Sequence, residues 1–157
     1  LNLLLNTIIS RCQIVRFRSL SYEQLNYVLK DYIDPSKFYI NNKLKFQDLV
    51  NCANGSPGQI LKNIEIWNEL SDEITNSIDS PIKNNLEIFE VAKLISEKLE
   101  IYQQISLVNL IQIIWWRKTK NVALVNKLEN LKTILRKNIQ PRLAWEITFL
   151  KISMEDI

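Results

Sequence analysis

Apolar residues recur at helical spacing along most of this chain, and short polar breaks separate the runs, so the pattern predicts a succession of helices. Residues 21–32, SYEQLNYVLKDY, open with Ser21 as a cap and Glu23 close behind it, and set Leu25, Val28 and Leu29 on one face. FQDLVNCA at 46–53 and SPGQILKNIEIWNEL at 56–70 predict two more helices, the second with Ile60, Ile64 and Trp67 on one side. Between them Asn54 and Gly55 stop one helix, Ser56 stands ready to cap the next, and Pro57 suits its first turn. Residues 33–45, with Pro35, Asn41 and Asn42 beside Phe38 and Tyr39, predict a loop or small turn.

The pattern then breaks. Ser71, Asp72, Asn76, Asp79, Ser80 and Pro81 interrupt the apolar positions, which predicts a domain boundary near Ser80, although Ile74 and Ile78 leave room for a helical turn. Beyond it four stripes predict a helical bundle. They are Ile88, Val91, Ala92, Ile95 and Leu99; Leu107, Leu110, Ile111 and Ile114; Leu124, Leu128, Leu131 and Leu135; and Leu143, Ile147 and Leu150. No fixed-period repeat accompanies them, so a solenoid is not expected.

One segment departs from helical spacing. In TIISRCQIVRF at 7–17, Ile8, Ile9, Ile14, Val15 and Phe17 are interrupted by Ser10, Arg11 and Gln13, which predicts a short leading strand whose break turns Arg11 outward. On these residues alone Arg11 is a surface arginine at a strand end. The apolar start LNLLLN reads as the tail of a preceding domain, with neither a basic flank nor a small-residue cleavage site to suggest a signal peptide.

Composition narrows the chemistry. Two glycines and four prolines favour helices over turns, and 46% hydrophobic residues in 157 suffice for one moderate core or two small ones. A formal charge of +3 is too weak to argue nucleic-acid binding. Cys12 and Cys52 have no metal spacing and there is no histidine, so zinc and histidine catalysis are excluded as readings and both cysteines are expected as small buried residues. No apolar run reaches the ~20 residues of a membrane span, and a soluble intracellular helical protein is expected. With Gly55 and Gly58 as the only glycines, no GxxxxGK[ST] phosphate loop exists, nor does an acidic run close a strand to hold magnesium. ATP cannot bind to this sequence by that route.

Trp115 and Trp116 adjoin Arg117, Lys118 and Lys120, and aromatics among bases can stack on single-stranded nucleic acid. Successive residues on a helix point ~100° apart, so the spacing instead predicts one tryptophan in the core and one at a subunit seam, with the bases at a helix carboxyl end.

Ser10, Arg11 and Cys12 resemble the Ser-Arg-Cys motif of clamp-loader ATPases, the AAA+ subunits that open sliding clamps in DNA replication. Ser56 to Gly58 resembles the family's sensor 2 helix start, with Gly58 where hydrolysing subunits carry arginine, and NIQPRLAWEITFLKI at 138–152 is similar to its last collar helix through Asn138, Pro141, Arg142, Leu143, Ala144 and Glu146. The resemblance implies a mainly α chain: the tail of a nucleotide-binding domain at 1–18, a small helical lid at 19–79 and a helical-bundle collar at 80–157. It further implies that Arg11 is a finger acting in trans, that Ser56 and Gly58 form a degenerate sensor, and that Trp115, Trp116 and Arg142 lie at an interface. Partners would be other loader subunits and, through the complex, the sliding clamp and primer-template DNA. The fragment would bind no cofactor, with ATP and magnesium held elsewhere in the parent complex. Asn6 stands where the family has proline before Thr7, and Gly58 favours a non-hydrolysing subunit. The alternatives are the motor subunit, a related AAA+ recombination factor, and a helical nucleic-acid-binding module.

Overall fold

The computed structural model describes residues 11–13, 15, 17–32, 46–137 and 140–154, and every regular element among them is a helix. In order these are α1 (Tyr22–Leu29), α2 (Phe46–Cys52), α3 (Pro57–Glu69), α4 (Asp72–Ser77), α5 (Asn85–Lys98), α6 (Ile101–Thr119), α7 (Val122–Arg136) and α8 (Pro141–Ser153). Of the expected leading strand, Arg11 lies in a turn, Cys12 in a bend, and Gln13, Val15 and Phe17 in no regular structure. A strand needs a neighbour for its backbone hydrogen bonds, and no described residue supplies one. The rest of that segment, the 33–45 loop and Asn138 fall outside the described residues.

Local chemistry sets the helix starts. Ser21 Oγ accepts from Gln24 N–H at 3.3 Å while Gln24 Oε1 accepts from Ser21 N–H at 2.9 Å, so the reciprocal partner is Gln24 and not Glu23. Ser56 caps α3 through Gln59 N–H, Asn84 caps α5 through Leu86 N–H, and Asn121 caps α7 through Ala123 and Leu124 N–H. Prolines 57 and 141 open α3 and α8, where a missing N–H costs nothing.

Packing follows the stripes. α6 packs on α7, α7 on α8 and α8 on α5, while α2 and α3 lie on α6, α1 on α3 and α4 on α5. One contiguous apolar cluster runs from Leu25 in α1 to Ile152 in α8, passing through Ile74, Ile78 and Ile82 across the boundary expected near Ser80. Its largest fully buried members are Trp115, Trp145 and Phe149, with Phe149 at 5.9 Å from Trp115 and 5.2 Å from Trp145 between ring centres. Each such side chain contributes ~2–3 kcal/mol by leaving water. Both indoles also find acceptors: Trp115 donates to Ile78 O at 2.8 Å, and Trp145 to Gln104 Oε1 at 2.9 Å. Gln104 in turn donates to Leu99 O, so this buried amide is satisfied at both ends.

The stripes expected in α5, α6 and α7 are all buried. That of α8 is not. Leu143 and Ile147 are 45% and 42% exposed, and the buried face is Ala144, Trp145, Thr148, Phe149 and Ile152. Apolar residues cover both sides of this helix, and the side carrying the two aromatics removes more surface from water. In α1, Leu25 and Leu29 are buried whereas Val28 is exposed.

Candidate functional site

Arg11 is exposed, in the turn that leads toward α1. The same lead-in segment is fixed further on, where Leu20 N–H donates to Gly55 O at 3.1 Å. Gly55 has φ +78, and a Cβ there would lie 2.6 Å from Ser19 Cβ and 2.7 Å from Leu20 N. Only glycine permits both the left-handed turn and this close approach. The turn before the helix start at Ser56 is therefore where Ser19 and Leu20, just ahead of α1, are held. Gly58 differs, since a Cβ added to it would meet nothing within 4 Å. Its place is open space in the first turn of α3.

The tryptophan pair divides as the 100° offset requires. Trp115 is fully buried, which corrects its inclusion among interface residues, and Trp116 is 40% exposed. The neighbouring bases divide too. Arg117 Nη1 meets Asp48 Oδ2 of α2 at 2.8 Å, and Lys118 Nζ meets Asp79 Oδ2 at 2.6 Å. Lys120 has no carboxylate partner among the described residues; its ammonium lies 5.4 Å from the centre of the Trp116 ring.

Beside Trp116 is an open groove of about 420 Å³ lined by Gln112, Ile113, Val122, Val125 and Glu129. Its walls are apolar, and its polar rim is internally bonded: Gln112 Nε2 donates to Val125 O and to Glu129 Oε2, each at 3.2 Å. Glu129 also pairs with Lys132, whose ammonium donates to Asn109 Oδ1 at 2.9 Å. The hydrogen bond that Lys132 donates to Glu129 is the main reason the Glu129 carboxyl is held below its ordinary value.

Arg142 is exposed at the start of α8 and donates through Nε to Glu146 Oε1 at 2.7 Å, one turn along. With Ser96, Pro141 and Leu143 the pair lines a second cleft, remote in sequence from the Trp116 groove. Neither cysteine is a fully buried apolar residue. Cys12 is exposed, and Cys52 is partly buried with its thiol pushed up to about 12 by desolvation and then by the Asp48 charge. A thiol held so far above neutrality is unreactive. Among the described residues no three acidic, histidine or cysteine side chains gather into a metal site, and no helix is long and apolar enough to cross a membrane.

The family model for the C-terminal domain of cyanobacterial DNA polymerase III delta prime matches residues 23–152. The chain belongs to this family. The match starts in α1 and ends in α8, so it includes every helix of the bundle, the Ser56 helix start, Trp116 and Arg142. It begins after Arg11. Among curated proteins and among solved structures, none matches.

Sequence reasoning missed the groove walls Ile113, Val122 and Val125, and the carboxylates Asp48 and Asp79 that neutralise the basic run. Val122 and Val125 lie three apart after a capping Asn121, which is a legible second apolar face on α7. The pairing of Arg117 with Asp48 spans nearly 70 positions and has no local signal.

Proposed function

We propose that this chain is the carboxyl-terminal part of a non-hydrolysing clamp-loader subunit, joined to the other subunits through its helical bundle, and that Arg11 completes the ATP site of a neighbour. Membership of the delta prime family carries the first half of this reading. The second half rests on the Ser-Arg-Cys resemblance, and the exposure of Arg11 is compatible with it.

In this reading the lid is residues 19–79 and the collar 80–157, with ATP and magnesium held by a partner. A guanidinium reaching the γ-phosphate meets charge that develops on its oxygens in the transition state, and fingers of this kind are worth ~10³–10⁵ in rate. Gly58 offers no guanidinium of its own, so this subunit would serve a partner's nucleotide. The sliding clamp and primer-template DNA would be met through the whole complex.

The nucleic-acid module is the second reading, and the fate of its bases weighs against it. Arg117 and Lys118 are each held by a carboxylate, which leaves Lys120 as the cation beside Trp116. A strand of phosphates needs several cations for salt-sensitive affinity. Co-expression of the full-length protein with the other subunits of its loader tests the first reading: a complex stable through gel filtration is expected, and separate elution of this protein would overturn it.

A further inference from the structure

We infer that the polar stretch at 71–83 is a clasp and not a hinge: it locks α2 and α3 onto the bundle through α6, so that residues 46–153 open and close as one cooperative body. This coupling needs no nucleotide and no partner, and it holds for any of the functional readings above.

Asp72, Asn76 and Ser80 suit a linker by composition. Their side chains are exposed, whereas Ile74, Ile78 and Ile82, four apart in sequence, are at most 4% exposed and belong to the common core. A linker between units that move independently has few contacts across it. Here the connection itself is held, since the Ile78 carbonyl accepts from the Trp115 indole and the Asp79 carboxylate takes the Lys118 ammonium.

The fastening reaches both ends of α6. Near its start Gln103 Nε2 donates to Glu69 Oε2 of α3 at 3.0 Å, and near its end Arg117 meets Asp48 of α2. Positions 103 and 117 lie about 20 Å apart along a helix. A hinge turns about one point, and two fastenings so far apart oppose that turn.

Singly these polar links are weak, because Glu69 and Lys118 are exposed. Cohesion comes from the core that the two halves share. Ile60 and Trp67 of α3 stand in the same buried cluster as Trp115 of α6 and Leu128 of α7, and parts that share one core open together. A displacement of the Gly55–Ser56 turn is then carried into the bundle instead of being absorbed near Ser80.

Hydrogen exchange followed by mass spectrometry on the full-length protein tests the coupling. The perturbations are Ile60→Val in α3 and Leu128→Val in α7, one on each side of the clasp and both conservative enough to leave the protein folded. In the wild type the slowest amides of α3 and of α7 should share one level of protection, and each substitution should lower protection in both helices by the same factor, about fivefold. Loss confined to the substituted half, with the other helix as protected as in the wild type, overturns the single body and makes 71–83 a hinge. Loader assembly and ATP hydrolysis are read separately, so neither result alters the clamp-loader reading.

Discussion

The indole nitrogen of Trp115, at the centre of the bundle, donates to the carbonyl of Ile78 at 2.8 Å, tying the segment after α4 to the longest of the described helices. Ile78 is itself fully buried, so its carbonyl has no water to fall back on. Trp115→Phe should destabilise the fold by about 2 kcal/mol, the cost of a lost hydrogen bond and an unmatched carbonyl. Trp115→Ala should cost about 3–5 kcal/mol because a cavity is added. Urea unfolding followed by circular dichroism measures both.

Asp48 is almost fully buried in α2, and Arg117 reaches it from α6. Arg117→Met removes a positive partner from a carboxylate that is kept from water. The guanidinium is about one-third exposed, so the loss should be about 1–3 kcal/mol, below that of a fully buried pair. Asp48→Asn together with Arg117→Met should recover part of it, and a double-mutant cycle by chemical denaturation reads the coupling.

The two glycines should respond in opposite ways. Gly55→Ala forces a side chain into a positive φ and against the Leu20 backbone, so a loss of about 2–3 kcal/mol is expected. Gly58→Ala meets open space in a helical turn and should gain up to about 0.5 kcal/mol. Thermal melts of the two variants, run side by side, give the comparison.

Glu129 supplies a pH dependence of defined sign. Its carboxyl is held below the ordinary value of 4.5, chiefly by the Lys132 hydrogen bond, so the pair stabilises the fold above that pH. The stabilisation is lost as pH falls through the lowered folded value. Because Glu129 is more than half exposed, the effect should stay under about 1 kcal/mol. Glu129→Gln should flatten the stability curve below pH 4.5 and leave the slope above it unchanged, as measured by urea titrations between pH 3 and 7.

Much of the fold was legible because local signals agree with it. Ser56 and Pro57 mark the start of α3, and the stripes of α5, α6 and α7 each choose one face unambiguously. Where two faces competed, spacing alone misled. On α8 the aliphatic run Leu143, Ile147 and Leu150 has the same period as Trp145, Thr148, Phe149 and Ile152, and only the partners Gln104 and Trp115 decide which turns inward. The site divides similarly. The offset of Trp115 from Trp116 follows from helix geometry, but the neutralising of Arg117 and Lys118 depends on residues far away in sequence.

The central claim is that this subunit serves a nucleotide bound by its neighbour, and Arg11 is where that claim is exposed. DNA-stimulated ATP hydrolysis by the full complex carrying Arg11→Ala measures it most directly. Assembly should be unchanged and hydrolysis should fall by about a hundredfold or more, in keeping with a finger at the γ-phosphate. Hydrolysis at the wild-type rate in an intact complex would contradict the account.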